Sequence, residues 1–397
     1  MGGILDGIRV LDFARYRAGP TCGQMLGDMG AEVIRVERPG GEDDRRLEPF
    51  AAGGQSSYLM FTGRNKKDIT LNLRKQKGKE LLEELVRRSD VVIENFGPDV
   101  NKRLGLDYES LKKIKPDIIV VSVSAYGQYG PYASRLGFDG LAQAMSGLMW
   151  VTGFPQGLPV KLGVSFVDTA TGAYGALGTL YALYHREKTG EGQSVDVSLL
   201  DSAVSFMESI FAEYEVASEI RPQVGNSHTY AGPCDTYKAK DGYFYLAVIG
   251  TAVWRRFLKV MGREELASDP RFQSDHDRAR PENWQFFTDW LSKWAAEKAV
   301  DEVVNQFSEA GIPCARVNTI PEATADPHTR AREMMVEVEH PEVGKVPLIG
   351  IPIKLSKTPG KIKTTAPTLG EHNEEIYCGW LGYTYQELAQ LKEEGVL

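Results

Sequence analysis

The sequence predicts a mixed α/β protein: a mainly parallel, Rossmann-like sheet in a large domain, followed by a smaller α+β domain. Three observations carry this. Short apolar runs alternate with amphipathic helical stretches through the first half of the chain, as in sheets covered on both faces. At 397 residues the chain is too long for one ordinary core. Its 42% hydrophobic and 25% charged residues are those of a globular protein.

The elements follow in order. GIRVLDF (7–13) reads as a buried strand, CGQMLGDMGA (22–31) as a short helix and EVIRVERPG (32–40) as a second strand, which together make a βαβ unit. KGKELLEELVRRS (77–89) places apolar residues at helical spacing. VVIENFGP (91–98) is a strand ending in a turn, and DIIVVSVSAYG (117–127) is another apolar strand. A long helix is expected from Phe166 to Tyr184, then a strand in GQSVDVSLL (192–200) and a helix in DSAVSFMESIFAEYE (201–215). The expected division is a large domain over 1–216, a Pro- and Gly-containing linker over 217–233, a small domain over 234–325 and a segment over 326–397 that returns to the large domain. The small domain is marked by the strands YFYLAVIG (243–250) and IPCARV (312–317) around the Trp-rich helix NWQFFTDWLSKWAAE (283–297). A basic, Pro-rich passage (354–373) leads to a last helix in YQELAQLKEEG (385–395).

Composition narrows the function. The net charge of -8 argues against a nucleic-acid surface, while leaving room for a local basic pocket for a phosphorylated ligand. The four cysteines are far apart and form no CxxC pair, so no zinc site is expected and the thiols are read as reduced, in a cytoplasmic protein. MGGILDGIRV has no basic run leading into an apolar segment, and charge interrupts every apolar stretch short of spanning length, so no membrane partner is expected.

Within the nearly uncharged stretch LGVSFVDTATGAYGALGTLYAL (162–183) stands one acid, Asp168. It could simply cap the helix that follows, a role worth about 1 kcal/mol. Gly172, Gly175 and Gly178 follow at i+3 spacing. Each lowers helix stability by roughly 1 kcal/mol relative to Ala, which implies close approach by another backbone or a ligand. A carboxylate at a helix N-terminus is held ionised by the dipole, which suits a nucleophile as well as a cap. The residues alone leave both roles open.

Over essentially its full length the chain resembles the class III CoA-transferases. The resemblance lies in LDGIRVLDFARYRAGP (5–20), AEVIRVERPG (31–40), ENFGPD (94–99), AYGQYGPYA (125–133), GFDGLAQAMSG (137–147), KTGEGQSVDVSLLD (188–201) and TLGEHNEEI (368–376), in the family's order. It implies that Asp168 is the catalytic carboxylate, taking CoA from an acyl-CoA donor to a carboxylic acid acceptor through a covalent relay. Because an unperturbed Asp has a pKa near 3.9, Asp168 is expected to be charged at neutral pH, with no general base needed. The resemblance carries coenzyme A contacts onto Arg38, Leu71, Arg74, Asn95, Phe96 and Arg103. Arg15, Tyr16 and Arg17 lie just after the first strand, where an open sheet places its ligand, and are expected to bind substrate. Two arginines there point to an acid with a second carboxylate, such as succinate. The CoA thioester is a substrate, and no permanently bound cofactor is expected. The family's interlocked homodimer is the implied assembly, some relatives pairing two different subunits instead.

Rival readings are weaker. An α-methylacyl-CoA racemase resembles the transferases in fold and needs a His in a G-H-D motif, where this chain has Gly137-Phe138-Asp139. A nicotinamide oxidoreductase needs GxGxxG after the first strand, where this chain has AGPTCG. A CoA-binding subunit without activity would have no use for an Asp at position 168.

Overall fold

Six parallel strands form the central sheet: β1 (Arg9–Asp12), β2 (Glu32–Glu37), β3 (Lys66–Thr70), β4 (Val91–Glu94), β5 (Ile119–Ser124) and β6 (Ser194–Ser198), in the spatial order β3-β2-β1-β4-β5-β6. Val10, Leu11, Ile34, Val92, Ile93, Val120 and Val121 are fully buried, the continuous β-branched runs of strands covered on both faces. The computed structural model describes residues 2–50, 54–340 and 344–397.

On one face α1 (Ala18–Asp28) and, six described helices later, α8 (Phe166–Thr189) pack on Val10, Val33, Val91, Ile93 and Val121 through Cys22, Leu26, Val167 and Ala176. The helices between them are α2 (Ser57–Thr62), α4 (Pro98–Leu104), α5 (Tyr108–Ile114), α6 (Asp139–Met145) and α7 (Leu148–Val151), with α3 (Gln76–Arg87) completing the series. The opposite face is covered by Leu81 and Leu85 of α3, Leu111 of α5 and Leu388 of the last helix, Tyr385–Glu393. Strand order reverses between β1 and β4, which opens a crevice at their carboxyl ends.

The described chain falls into two units, one of residues 1–148, 161–211 and 327–397, the other of 149–160 and 212–326. Residues 149–160 and 212–233 go with the second unit, where the sequence division places 1–216 in the large domain and 217–233 in a linker. The first unit also contains α9 (Leu199–Ser205) and an antiparallel pair, β10 (Met335–His340) with β11 (Gly344–Ile349). In the second unit β7 (Cys234–Ala239), β8 (Gly242–Ala247) and β9 (Cys314–Arg316) form an antiparallel sheet. Helices α11 (Thr251–Val260), α13 (Pro281–Ala295) and α14 (Val300–Glu309) close over it with Trp254, Phe257, Phe287 and Phe307. Helices α10 (Ile210–Ala217) and α12 (Asp275–Ala279) complete this α+β unit.

Three local expectations are corrected. The helix read over 201–215 is two, α9 and α10, because Glu208 between them adopts a left-handed φ of 48°. Strand β3 was not foreseen, since it starts with Lys66 and Lys67; the Lys66 ammonium is buried and reaches the Asp12 carboxylate at 2.7 Å. Asp168 is not a cap: α8 starts at Phe166 with Ser165 before it, so Asp168 is the third helical residue.

Candidate active site

The site grows from the loop after β1, residues 13–17, every N–H of which up to Tyr16 has a partner. Phe13 N–H donates to the Ile93 carbonyl at 2.8 Å and Ala14 N–H to Asp12 Oδ1 at 3.0 Å. Asn95 clasps Arg15 from both sides, its Oδ1 accepting from Arg15 N–H at 2.9 Å and its Nδ2 donating to the Arg15 carbonyl at 2.7 Å. Tyr16 has a φ of 62°, left-handed for a bulky residue, a conformation that costs about 1–3 kcal/mol. Its N–H donates to Asp44 Oδ2 at 3.0 Å. Asp44 is fully buried, and its other oxygen accepts from Arg35 Nη2 at 2.6 Å.

Past this bend the chain enters α1, and two arginines part. Arg15 lines a cavity of about 590 Å³ at the carboxyl ends of β1 to β4, its guanidinium 4.7 Å over the Phe96 ring and 3.5 Å from Glu42. Arg38, Leu71, Arg74, Phe96 and Arg103 line the same cavity, with Lys79 and Phe13. Five basic side chains around apolar and aromatic walls suit a ligand with phosphates and a flat ring. Of the six contacts expected for coenzyme A, only Asn95 is not on this wall; its amide is spent on the Arg15 backbone. Beneath Phe96, buried Glu94 accepts from Phe96 N–H at 2.8 Å and Asn101 Nδ2 at 2.9 Å, and burial pushes its carboxyl up to about 7.

Arg17 turns the other way. It lines a cavity of about 700 Å³ with Asp168, Asp139, Gly140, Gly163 and Thr169, and its guanidinium lies 4.4 Å over the Tyr58 ring. Arg17 Nε is buried and has no hydrogen-bond partner among the described residues. A neighbouring cavity of about 710 Å³, walled by Met25, Phe61, Leu348 and Ile351, shares Arg17, Val164 and Thr169 with it. The three residues read as substrate contacts are thus placed apart: Arg15 lines the basic cavity, Arg17 lines the one with Asp168, and the Tyr16 ring stands edge-on to Phe138 with centroids 6.2 Å apart.

Asp139 holds the start of α8, its Oδ2 accepting the Asp168 backbone N–H at 3.1 Å, while Gln143 Nε2 donates to its Oδ1. Asp168 itself is pushed up to about 7, first by burial and then by the Asp139 charge, with Arg17 opposing. This corrects the expectation of an ordinary, fully ionised carboxylate: desolvation outweighs the helix dipole. The α8 glycines do not face the cavity. A Cβ on Gly172 would meet the Ala18 carbonyl oxygen at 2.6 Å, one on Gly175 would meet Cys22 Sγ at 3.2 Å and one on Gly178 would meet Val195 Cγ1 at 2.6 Å, so their task is close packing on α1 and the sheet.

The arrangement is a desolvated carboxylate beside a cation, two residues along the chain from a basic cavity. That suits attack on a thioester carried by a phosphorylated ligand. CoA-transferase family III matches residues 5–373 of this sequence. The chain belongs to that family. As a family III CoA-transferase it is 37% identical to the succinyl-CoA--D-citramalate CoA-transferase of Chloroflexus aurantiacus over 99% of this chain and 98% of that one. It is 36% identical to the formyl-CoA:oxalate CoA-transferase of Streptomyces coelicolor, over 99% of both chains. A CAIB/BAIF family protein from Brucella suis has the same fold, with a TM-score of 0.85 at 35% identity over 96% of this chain and 100% of that one. The enzyme is a class III CoA-transferase, and CoA thioesters are its substrates. Among the described residues lining the Asp168 cavity there is no His, so a racemase is not favoured. No helix among them is long and apolar enough to cross a membrane. Sequence reading missed Asp44, hidden in the charge run EDDRR, and Tyr58, which no motif marks.

Proposed function

We propose that this enzyme moves CoA from succinyl-CoA to a second carboxylic acid through a covalent intermediate on Asp168. The observation that carries the proposal is the half-buried, partly desolvated Asp168 carboxylate, which lines one cavity with Arg17, two residues along the loop from the Arg15 that lines the basic one. An Asp168 oxygen attacks the thioester carbonyl; the carbon–sulfur bond breaks and CoA leaves as thiolate, giving a mixed anhydride. The thiolate then attacks the Asp168 carbonyl carbon, which forms an aspartyl-CoA thioester and releases succinate. The acceptor carboxylate attacks that thioester in turn, and the expelled thiolate takes the acceptor's acyl group, restoring Asp168. Each intermediate reacts with water, so burial of Asp168 protects as well as activates it.

Arg38, Leu71, Arg74, Phe96 and Arg103 hold the nucleotide end of CoA in this reading, with Arg15 added to them and Asn95 acting through Arg15. Arg17 receives the far carboxylate of succinate or of a dicarboxylate acceptor; the citramalate-using relative supports that class. The working assembly is a homodimer, a reading supported by the exposed apolar side chains Tyr174, Leu177, Tyr181 and Tyr184 along α8. Its four thiols are free, as suits the cytoplasm.

The test is chemical trapping. The protein is incubated with succinyl-CoA and other acyl-CoAs without acceptor, hydroxylamine is added, and peptides are analysed by mass spectrometry. A hydroxamate on Asp168 with one donor supports the nucleophile and names the donor. No modification by any donor, from a protein that binds CoA, would sink the covalent route.

A further inference from the structure

We propose that Asp44 is a positioning residue of the transfer reaction, which fixes the left-handed bend at Tyr16 and thereby sends Arg15 and Arg17 into different cavities. The proposal rests on the reading that these cavities take the two ends of the acyl-CoA.

In an extended strand, residues two apart project to the same side. Arg15 and Arg17 are two apart, yet Arg15 lies over Phe96 in the basic cavity and Arg17 over Tyr58 beside Asp168. What separates them is the single residue between, with φ at 62°. Nothing in the Tyr side chain favours that conformation, and the flanking residues are held by other groups: Arg15 by Asn95, and the Arg17 carbonyl by Thr21 N–H at 2.8 Å. The hydrogen bond on the bent residue itself is the one from Tyr16 N–H to Asp44.

Asp44 is built for a fixed direction. It is fully buried in a short 3₁₀ turn, Asp43–Arg46, and among the described residues its two oxygens accept from Tyr16 N–H and Arg35 Nη2. Arg35 in turn is fixed by Glu37 at 2.6 Å and lies 3.8 Å from Asp68, so the acceptor cannot swing without costing a buried guanidinium the partner of its Nη2. The direction of both substrate-facing arginines is thus set by a carboxylate that touches neither.

Three full-length variants test this. Tyr16→Asn and Tyr16→Val both remove the phenol, but Asn adopts the left-handed region and a β-branched Val resists it. With Tyr16→Asn as reference, Tyr16→Val is expected to weaken CoA binding, read by titration calorimetry, and to slow Asp168 hydroxamate formation from succinyl-CoA, each about tenfold. Asp44→Asn offers one acceptor to two donors and is expected to lose both readouts as well. Thermal melts and far-UV circular dichroism identify any variant that does not fold, and the Tyr16 pair decides the question if Asp44→Asn does not. Equal behaviour of Tyr16→Val and Tyr16→Asn in both readouts overturns the proposal. A wild-type chain that neither binds CoA nor forms the hydroxamate overturns the functional reading instead. Crystal structures of the Tyr16→Val variant then judge the bend: Arg15 displaced from Phe96 supports it, and both arginines unmoved overturn it.

Discussion

At the scale of single residues, Asp168, the proposed nucleophile, is expected to set the pH behaviour. Attack needs the ionised form, and burial beside Asp139 raises its pKa to about 7, so the transfer rate is expected to fall as pH drops through that value. Asp139→Asn keeps an oxygen for the Asp168 N–H and removes a charge, and should move this acidic limb to lower pH in a profile of rate against pH. Asp168→Asn should abolish both transfer and hydroxamate formation. The same variant carries a stability signature. A carboxyl whose pKa is higher folded than unfolded keeps its proton longer in the native state, so stability is lost as pH rises from about 4 to 7. Asp168→Asn is therefore expected to melt above wild type at pH 8, with the difference gone by pH 4. Equal melting temperatures at pH 8 would contradict a desolvated Asp168.

At the scale of elements, α8 is placed by its glycines. Gly172→Ala puts a methyl group 2.6 Å from a backbone oxygen of α1 and should destabilise the protein by about 1–3 kcal/mol in denaturant melts. Gly163→Ala is the control: nothing lies within 4 Å of its added Cβ, so it should leave stability within about 0.5 kcal/mol of wild type. Five of the six strands were legible in the sequence: β1, β2, β4 and β5 because apolar runs buried on both faces have few other uses, and the half-exposed edge strand β6 because Val195 and Val197 alternate with polar residues. Strand β3 was not, since its Lys66 and Asp68 are stabilised by partners far along the chain, Asp12 and Arg45. Asp168 stood out as a candidate through its motif, whereas its altered acidity did not, because the desolvation and the Asp139 charge come from segments brought together only by folding. The division of Arg15 from Arg17 was illegible for a similar reason: no pattern in ARYRAG marks a Tyr with positive φ.

At the scale of the whole molecule, the proposed homodimer should give twice the 44.0 kDa chain mass by light scattering, and Tyr181→Lys on the exposed face of α8 should shift it toward the single chain. A dimer mass unchanged in that variant would place the interface elsewhere. The first unit has a further property, which concerns the order in which its parts become available. Asp68, whose carboxylate lies beside Arg35 and Arg45 under the bend at Tyr16, accepts from Gly370 N–H at 2.7 Å, and Arg45 donates to the Pro367 carbonyl at 3.2 Å. Thr70, two residues on, is held by Asn373. The loop that carries Arg15 and Arg17 emerges from the ribosome first, while the backbone of Pro367 and Gly370 that completes the charge network supporting it is made about 350 residues later. At about 5–20 residues per second, synthesis keeps that network incomplete for tens of seconds. An unfinished chain thus carries the proposed nucleophile, Asp168, before the network that supports the Arg15–Arg17 loop is complete.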